Sequence, residues 1–249
     1  MPTKGFRRGV SLLPSLFTIA NLFCGWACVV YSMLGQLETA APFIGVAMVL
    51  DMLDGRIARM TGTASEFGLQ LDSLADIVSF GMAPAVLAYA WGLAPLGRLG
   101  WAVGFLFVTA AALRLARFNI QKITDKRYFV GLATPAAAAL VASTVFYYPA
   151  GLQEKPEAYL ALPLVLVPAF LMVSTIRFRS FKTIDIGVRR RYQTLIVLAA
   201  FLALLNTYPE IVLLLMAYGY LASAFIGLAL HKLRGRDHDV TPPPKPSEV

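Results

Sequence analysis

Between Asp51 and Asp76 the chain reads DMLDGRIARMTGTASEFGLQLDSLAD, with four aspartates set between Ala40 to Leu50 and Ile77 to Trp91, flanks that are almost wholly apolar. A carboxylate at or inside the end of an apolar helix is costly unless something compensates it. Asp51, Asp54, Gly55, Ala58 and Gly62 follow helical spacing along one face, and Gly68, Asp72 and Asp76 do the same on the next segment. If Met60 to Ser65 turns the chain, the two helices run antiparallel. At about 1.5 Å per residue, Asp54 and Asp72 then lie roughly 7 Å deep, and Asp51 and Asp76 roughly 12 to 14 Å deep. Four carboxylates level in pairs repel one another unless cations lie between them. Their oxygen-only donor set suits two divalent cations, Mg²⁺ or Mn²⁺, and a pair of such ions about 4 Å apart recurs at displacements on phosphorus. The plainer alternative, a structural network of these acids with Arg56, Arg59 and outside bases, does not account for four acids in register.

Smaller features support a phosphate-bearing ligand at this place. Gly55, Ala58 and Gly68 remove side chains where a flat group could approach the backbone, and Arg59 offers a planar fork for a phosphate. In PSLFTIAN, Thr18 and Asn21 form a polar pair on the first apolar segment, where ordinary interhelical hydrogen bonding is the competing explanation for a role near the nucleotide or metals. In ALRLARFNIQ, Arg114 and Arg117 lie one turn apart with Asn119 beyond, deep enough to face a cavity or else to snorkel to headgroups.

The elements that must position these groups are membrane helices. The chain has 249 residues, 58% hydrophobic and 14% charged, with a mean hydropathy of +0.67, which leaves no room for a sizeable soluble domain. Apolar runs fall at about Leu12 to Leu34, Ala40 to Arg59, Phe67 to Gly92, Leu99 to Asn119, Val130 to Tyr148, Ala158 to Ile176, Tyr192 to Leu205 and Ile211 to Lys232. The expectation is an all-α integral membrane protein of about eight transmembrane helices, a single catalytic domain over residues 1–232 with a disordered cytoplasmic tail at 233–249. The first run is long enough to be a retained span rather than a cleaved signal. The seventh is short, and Asn206, Tyr208 and Pro209 mark a tight turn, so the last two runs read as a closely joined hairpin. Of the 22 lysines and arginines, only Arg98 and Lys155 fall opposite the N-terminus in this register. The positive-inside rule therefore puts both termini and the acids on the cytoplasmic side. The net charge of +8 is explained by topology, and basic residues scattered over loops argue against nucleic-acid binding. Cys24 and Cys28, four apart on one helix, read as packing residues.

The central stretch resembles the CDP-alcohol phosphotransferases, integral membrane enzymes with the pattern D-x2-D-G-x2-A-R, a spacer, then G-x3-D-x3-D. Asp51, Asp54, Gly55, Ala58, Arg59, Gly68, Asp72 and Asp76 fill every fixed position. LDSLADIVSFGMAPA, RLARFN and FVGLATPAAAA are similar to the membrane-spanning phosphatidylserine synthases within that family, with Thr134 standing where a second proline is expected close by. The resemblance runs from Pro14 to about Tyr148. It implies the CDP-alcohol phosphotransferase fold and transfer of the phosphatidyl group of CDP-diacylglycerol to L-serine, with release of CMP. It also implies metals held by Asp51, Asp54, Asp72 and Asp76, with Asp76 also the base that takes the serine proton. Gly55, Ala58, Arg59, Ser65, Gly68 and Asn21 are the expected contacts of the CDP-lipid, and Arg114, Arg117 and Asn119 those of serine. A homodimer in the cytoplasmic (inner) membrane, its active site facing the cytoplasm, completes the expectation. Two alternatives stand beside it: another acceptor, glycerol 3-phosphate or an inositol phosphate, drawing on the basic Arg177 to Arg191 loop, and a divalent-cation transporter. Against the latter, the spans carry no acid on their other half.

Overall fold

The structure, a computed structural model, describes residues 4–62, 65–120, 128–174, 177–179 and 191–234. Two long helices, α1 (Lys4–Met33) and α2 (Leu37–Thr61), form an antiparallel pair. Gly35, at φ 74°, turns the chain between them, and the N–H of Gln36 closes the turn on the Tyr31 carbonyl at 2.9 Å. Gly62, in the left-handed conformation, ends α2. The next helix, α3 (Glu66–Leu96), starts where the Ser65 hydroxyl accepts a bond from the Gly68 N–H at 3.0 Å. Then follow α4 (Arg98–Ile120), α5 (Thr134–Tyr147), α6 (Lys155–Val173), α7 (Arg191–Thr207) and α8 (Pro209–Arg234).

α3 is irregular where it matters. Its hydrogen-bond pattern widens into π-helical turns at Ile77–Met82 and Tyr89–Leu93. Pro84 has no N–H to return to the preceding turn, so regular α-helical bonding cannot be kept there. α1 crosses α3 at the first of these turns in near backbone contact. A Cβ on Gly25 would lie 2.6 Å from the Ser79 Oγ and 2.8 Å from its Cα, so only glycine permits the approach. The Ser79 hydroxyl donates to the Asn21 carbonyl at 2.9 Å and pins the crossing.

Small residues on α1 and α2 are buried alongside larger ones elsewhere such as Phe80 and Phe107, and many other large side chains face outward. Ala40, Ala41, Ile44 and Ala47 on α2 and Cys24 and Cys28 on α1 are buried, both cysteines as free thiols. Phe23, Trp26, Trp101 and Phe105, by contrast, are exposed. An apolar exterior with small residues where helices approach closely is what lipid as solvent selects. The fold is thus an all-helical membrane architecture.

Three points differ from the sequence reading. Among the described residues, four helices are long and apolar enough to cross a bilayer (the described part of α1, α3, α4 and α6), five if the α7–α8 pair counts as one. Length and apolarity alone therefore do not carry eight spans: α2 holds Asp51, Asp54, Arg56 and Arg59 in its second half, and α5 has only 14 residues. The fifth run begins at Thr134 rather than Val130, because Tyr128–Val130 (β1) pairs antiparallel with Arg177–Arg179 (β2), the backbone of Phe129 in register with that of Phe178. Gly131, at φ 80°, follows β1, and the next N–H, of Leu132, bonds to the Leu171 carbonyl at 3.0 Å. The sixth run starts earlier, at Lys155, and stops at Val173. The expected turn at Tyr208 is present, with α7 and α8 meeting at 116°. Residues 235–249, nearly all of the expected tail, lie outside the described residues, as do 180–190 of the basic loop.

Candidate active site

The site forms where α2 and α3 converge beside α1. Carboxylate oxygens of Asp51, Asp72 and Asp76 all lie within 4.8 Å of one another, each residue half-buried. Asp72 and Asp76 share a face of α3 because they are four residues apart, and the burial of Ala40, Ala41, Ile44 and Ala47 turns α2 so that Asp51 meets them. Asp54, one turn beyond Asp51, is not in this cluster of three. It is buried, and its carboxylate accepts a hydrogen bond from the buried Thr18 hydroxyl of α1. Asp54 nevertheless stays within electrostatic range of both Asp51 and Asp72.

Asn21 is fully buried, and its Nδ2 donates to Asp76 Oδ1 at 3.3 Å. Its own Oδ1 has no hydrogen-bond partner among the described residues. Three carboxylates this close cannot all stay charged without a cation between them. Among the described residues the basic side chain acting on Asp76 is Arg114, and its guanidinium donates through Nη1 to Thr134 Oγ1 at 2.8 Å. The donor set, carboxylate oxygens of three aspartates, suits hard divalent cations.

The remaining expected contacts are dispersed around this centre. Gly55 leaves open space that the Arg59 guanidinium borders, 3.7 Å from where a Cβ would stand, and Arg59 is exposed. Ala58 is half-buried on the same helix. Ser65 caps α3, and a Cβ on Gly68 would meet its hydroxyl at 3.2 Å. Asn119 is exposed and donates to Ser73 Oγ at 2.9 Å, tying the end of α4 to α3 just before Asp76. Arg117 is half-buried.

Sequence reasoning missed three groups. Thr134, fully buried, was visible only as a departure from an expected proline. Ser79 looked like an apolar-span serine, yet it fixes the α1–α3 crossing. Tyr220 of α8 lies within electrostatic range of Arg114, and a tyrosine in an apolar helix carries no sequence signal for that.

With this geometry established, comparison with known proteins is informative. The profile of the CDP-alcohol phosphatidyltransferase family matches residues 11–176. A CDP-diacylglycerol–serine O-phosphatidyltransferase of Helicobacter pylori is 37% identical over 222 residues, covering 86% of this chain and 92% of its own. A protein of the same name from Bacillus subtilis is 32% identical over 173 residues, 70% of this chain and 93% of its own. An archaetidylserine synthase of Methanothermobacter thermautotrophicus is 34% identical over 168 residues, 67% of this chain and 69% of its own. The matched region contains the acid cluster, Asn21, Arg114 and Thr134 together, and the chain belongs to the CDP-alcohol phosphatidyltransferase family.

Proposed function

We propose that this chain transfers the phosphatidyl group of CDP-diacylglycerol to the hydroxyl of L-serine, giving phosphatidylserine and CMP. The observation that carries the reading is the convergence of Asp51, Asp72 and Asp76 within a complete family motif. The relatives' names supply the acceptor.

The residues divide the work by position. Asp51, Asp72 and Asp76, with Asp54 held by Thr18, are the groups that would hold divalent cations, Mg²⁺ or Mn²⁺. Such ions, when bound, neutralise charge on the transferring and leaving phosphate oxygens. Gly55, Ala58 and Gly68 leave room for the cytidine, Arg59 meets a phosphate, and Ser65 and Asn21 border the same ligand. Asp76 takes the serine hydroxyl proton as the oxygen forms its bond to the phosphatidyl phosphorus. The P–O bond to CMP breaks, and CMP leaves with the electron pair. Asn21 orients Asp76 through its Nδ2. Arg114 receives the serine carboxylate, since a guanidinium fork matches it bidentately, with Arg117 and Asn119 flanking. Positioning and fixed charge do the remainder.

In the membrane, we place each helix from α1 to α8 as a crossing, eight in all, with both termini and the acid cluster on the cytoplasmic side of the inner membrane. The domain spans residues 1–232 with a tail behind it, in a homodimer. A phosphate-bearing acceptor is the second reading, favoured by the β1–β2 pairing that brings the backbone of Arg177 and Arg179 beside the α4–α5 connection. Incubating the purified protein with CDP-diacylglycerol and L-serine, glycerol 3-phosphate or an inositol phosphate, then identifying the lipid formed, decides between them. Phosphatidylserine from serine alone is expected; a phosphate-bearing lipid product would replace this reading with the second.

A further inference from the structure

Arg114 is the polar group of this site whose surroundings are least accounted for by the chain itself. It sits half-buried on α4 within electrostatic range of Asp76. Its Nη1 donates to Thr134, and its Nε is buried with no hydrogen-bond partner among the described residues. An arginine carries five N–H donors in a rigid fork, and the bond from Nη1 to Thr134 uses one of them. Thr134 is the first residue of α5, following Ala133 at the N-cap. It is fully buried, and its hydroxyl accepts from Arg114.

We infer that Thr134 is a positioning residue for the acceptor: by holding Nη1 it fixes the Arg114 guanidinium as a receptor for the α-carboxylate of serine. The inference rests on the serine reading above. The carboxylate and hydroxyl of serine are joined by only two carbons, so a receptor for the first must lie near the base that serves the second, and Arg114 is within electrostatic range of Asp76.

The test is steady-state kinetics of the purified full chain in mixed micelles with CDP-diacylglycerol, for wild type, Thr134→Val and Thr134→Ser. L-Alanine, which has the carboxylate and lacks the hydroxyl, serves as competitive inhibitor. Losing the hydrogen bond that orients a charged group should raise the KM for serine at least about tenfold in Thr134→Val. The inhibition constant of L-alanine should rise by the same factor, while kcat and the KM for CDP-diacylglycerol stay near wild type, and Thr134→Ser should restore both. An unchanged serine KM in Thr134→Val, an equal loss for both substrates, or a Thr134→Ser as impaired as the valine variant would overturn the inference. Should Thr134→Val fail to accumulate, Thr134→Cys, of similar size and a poor acceptor, carries the same comparison. A wild-type protein that makes no phosphatidylserine would instead overturn the serine reading on which the inference stands.

Discussion

Asn21 offers a sharp quantitative test, because its two roles run through different atoms. Its Nδ2 donates to Asp76 Oδ1, whereas its backbone carbonyl accepts from Ser79. Replacing Asn21 by leucine, close in volume, removes the first bond and keeps the second. Hydrogen bonds to charged groups contribute about 1.5–3 kcal/mol. At 3.3 Å this one is long, so the lower end, about 1.5 kcal/mol, applies, and it corresponds to roughly a tenfold change in rate. Stability should change little. The substitution also removes the Asn21 Oδ1, which has no partner among the described residues, and a buried unsatisfied acceptor is itself costly. Asn21→Asp should be far worse, since it sets another carboxylate against Asp76. The assay is the initial rate of CMP release at saturating serine and CDP-diacylglycerol, with thermal unfolding followed on the same preparations. A kcat for Asn21→Leu equal to wild type, or one no better than that of Asn21→Asp, would refute the claim that this amide orients the base.

Three further outcomes follow from the same geometry. Asp76→Asn, nearly isosteric but a poor base, should lower turnover by about 10² to 10⁴ while changing CDP-diacylglycerol affinity much less; retained turnover would move the base elsewhere. Gly25→Ala, which forces a Cβ against the Ser79 backbone, should cost about 1–3 kcal/mol of stability by overpacking and lower activity with it, as measured by thermal unfolding and CMP release. Reporters placed after Val249 and within 60–65 should both read cytoplasmic, and one within 151–157 the opposite side; a reporter at 151–157 on the same side as the others would break the eight-crossing arrangement.

The acid cluster was legible in the sequence because spacing along a helix fixes which side chains share a face, whatever the helix packs against. Asp72 and Asp76 had to project together from α3. Which aspartate of α2 would join them was not legible. That depends on the rotation of α2, set by the burial of Ala40, Ala41, Ile44 and Ala47, and on Thr18 engaging Asp54 from a third helix. Asn21 showed up as a polar residue in an apolar helix, but its approach to Asp76 depends on the α1–α3 crossing. That crossing in turn depends on Gly25, Ser79 and a π-helical turn, none of which leaves a periodic pattern. Thr134 and the β1–β2 pairing arise from contacts distant in sequence, where no spacing rule reaches. Span counting by apolar runs is blunted at α2, whose charges belong to the site rather than to a loop.

The most direct test of the account is to follow CMP and phosphatidylserine together from CDP-diacylglycerol and L-serine, before and after chelation with EDTA. If the convergent aspartates are the centre of a divalent-cation-dependent phosphatidyl transfer, the two products form in equal amounts, both cease with EDTA, and both return on adding Mg²⁺ or Mn²⁺. Undiminished formation of the two products in EDTA, or CMP released without phosphatidylserine, would contradict it.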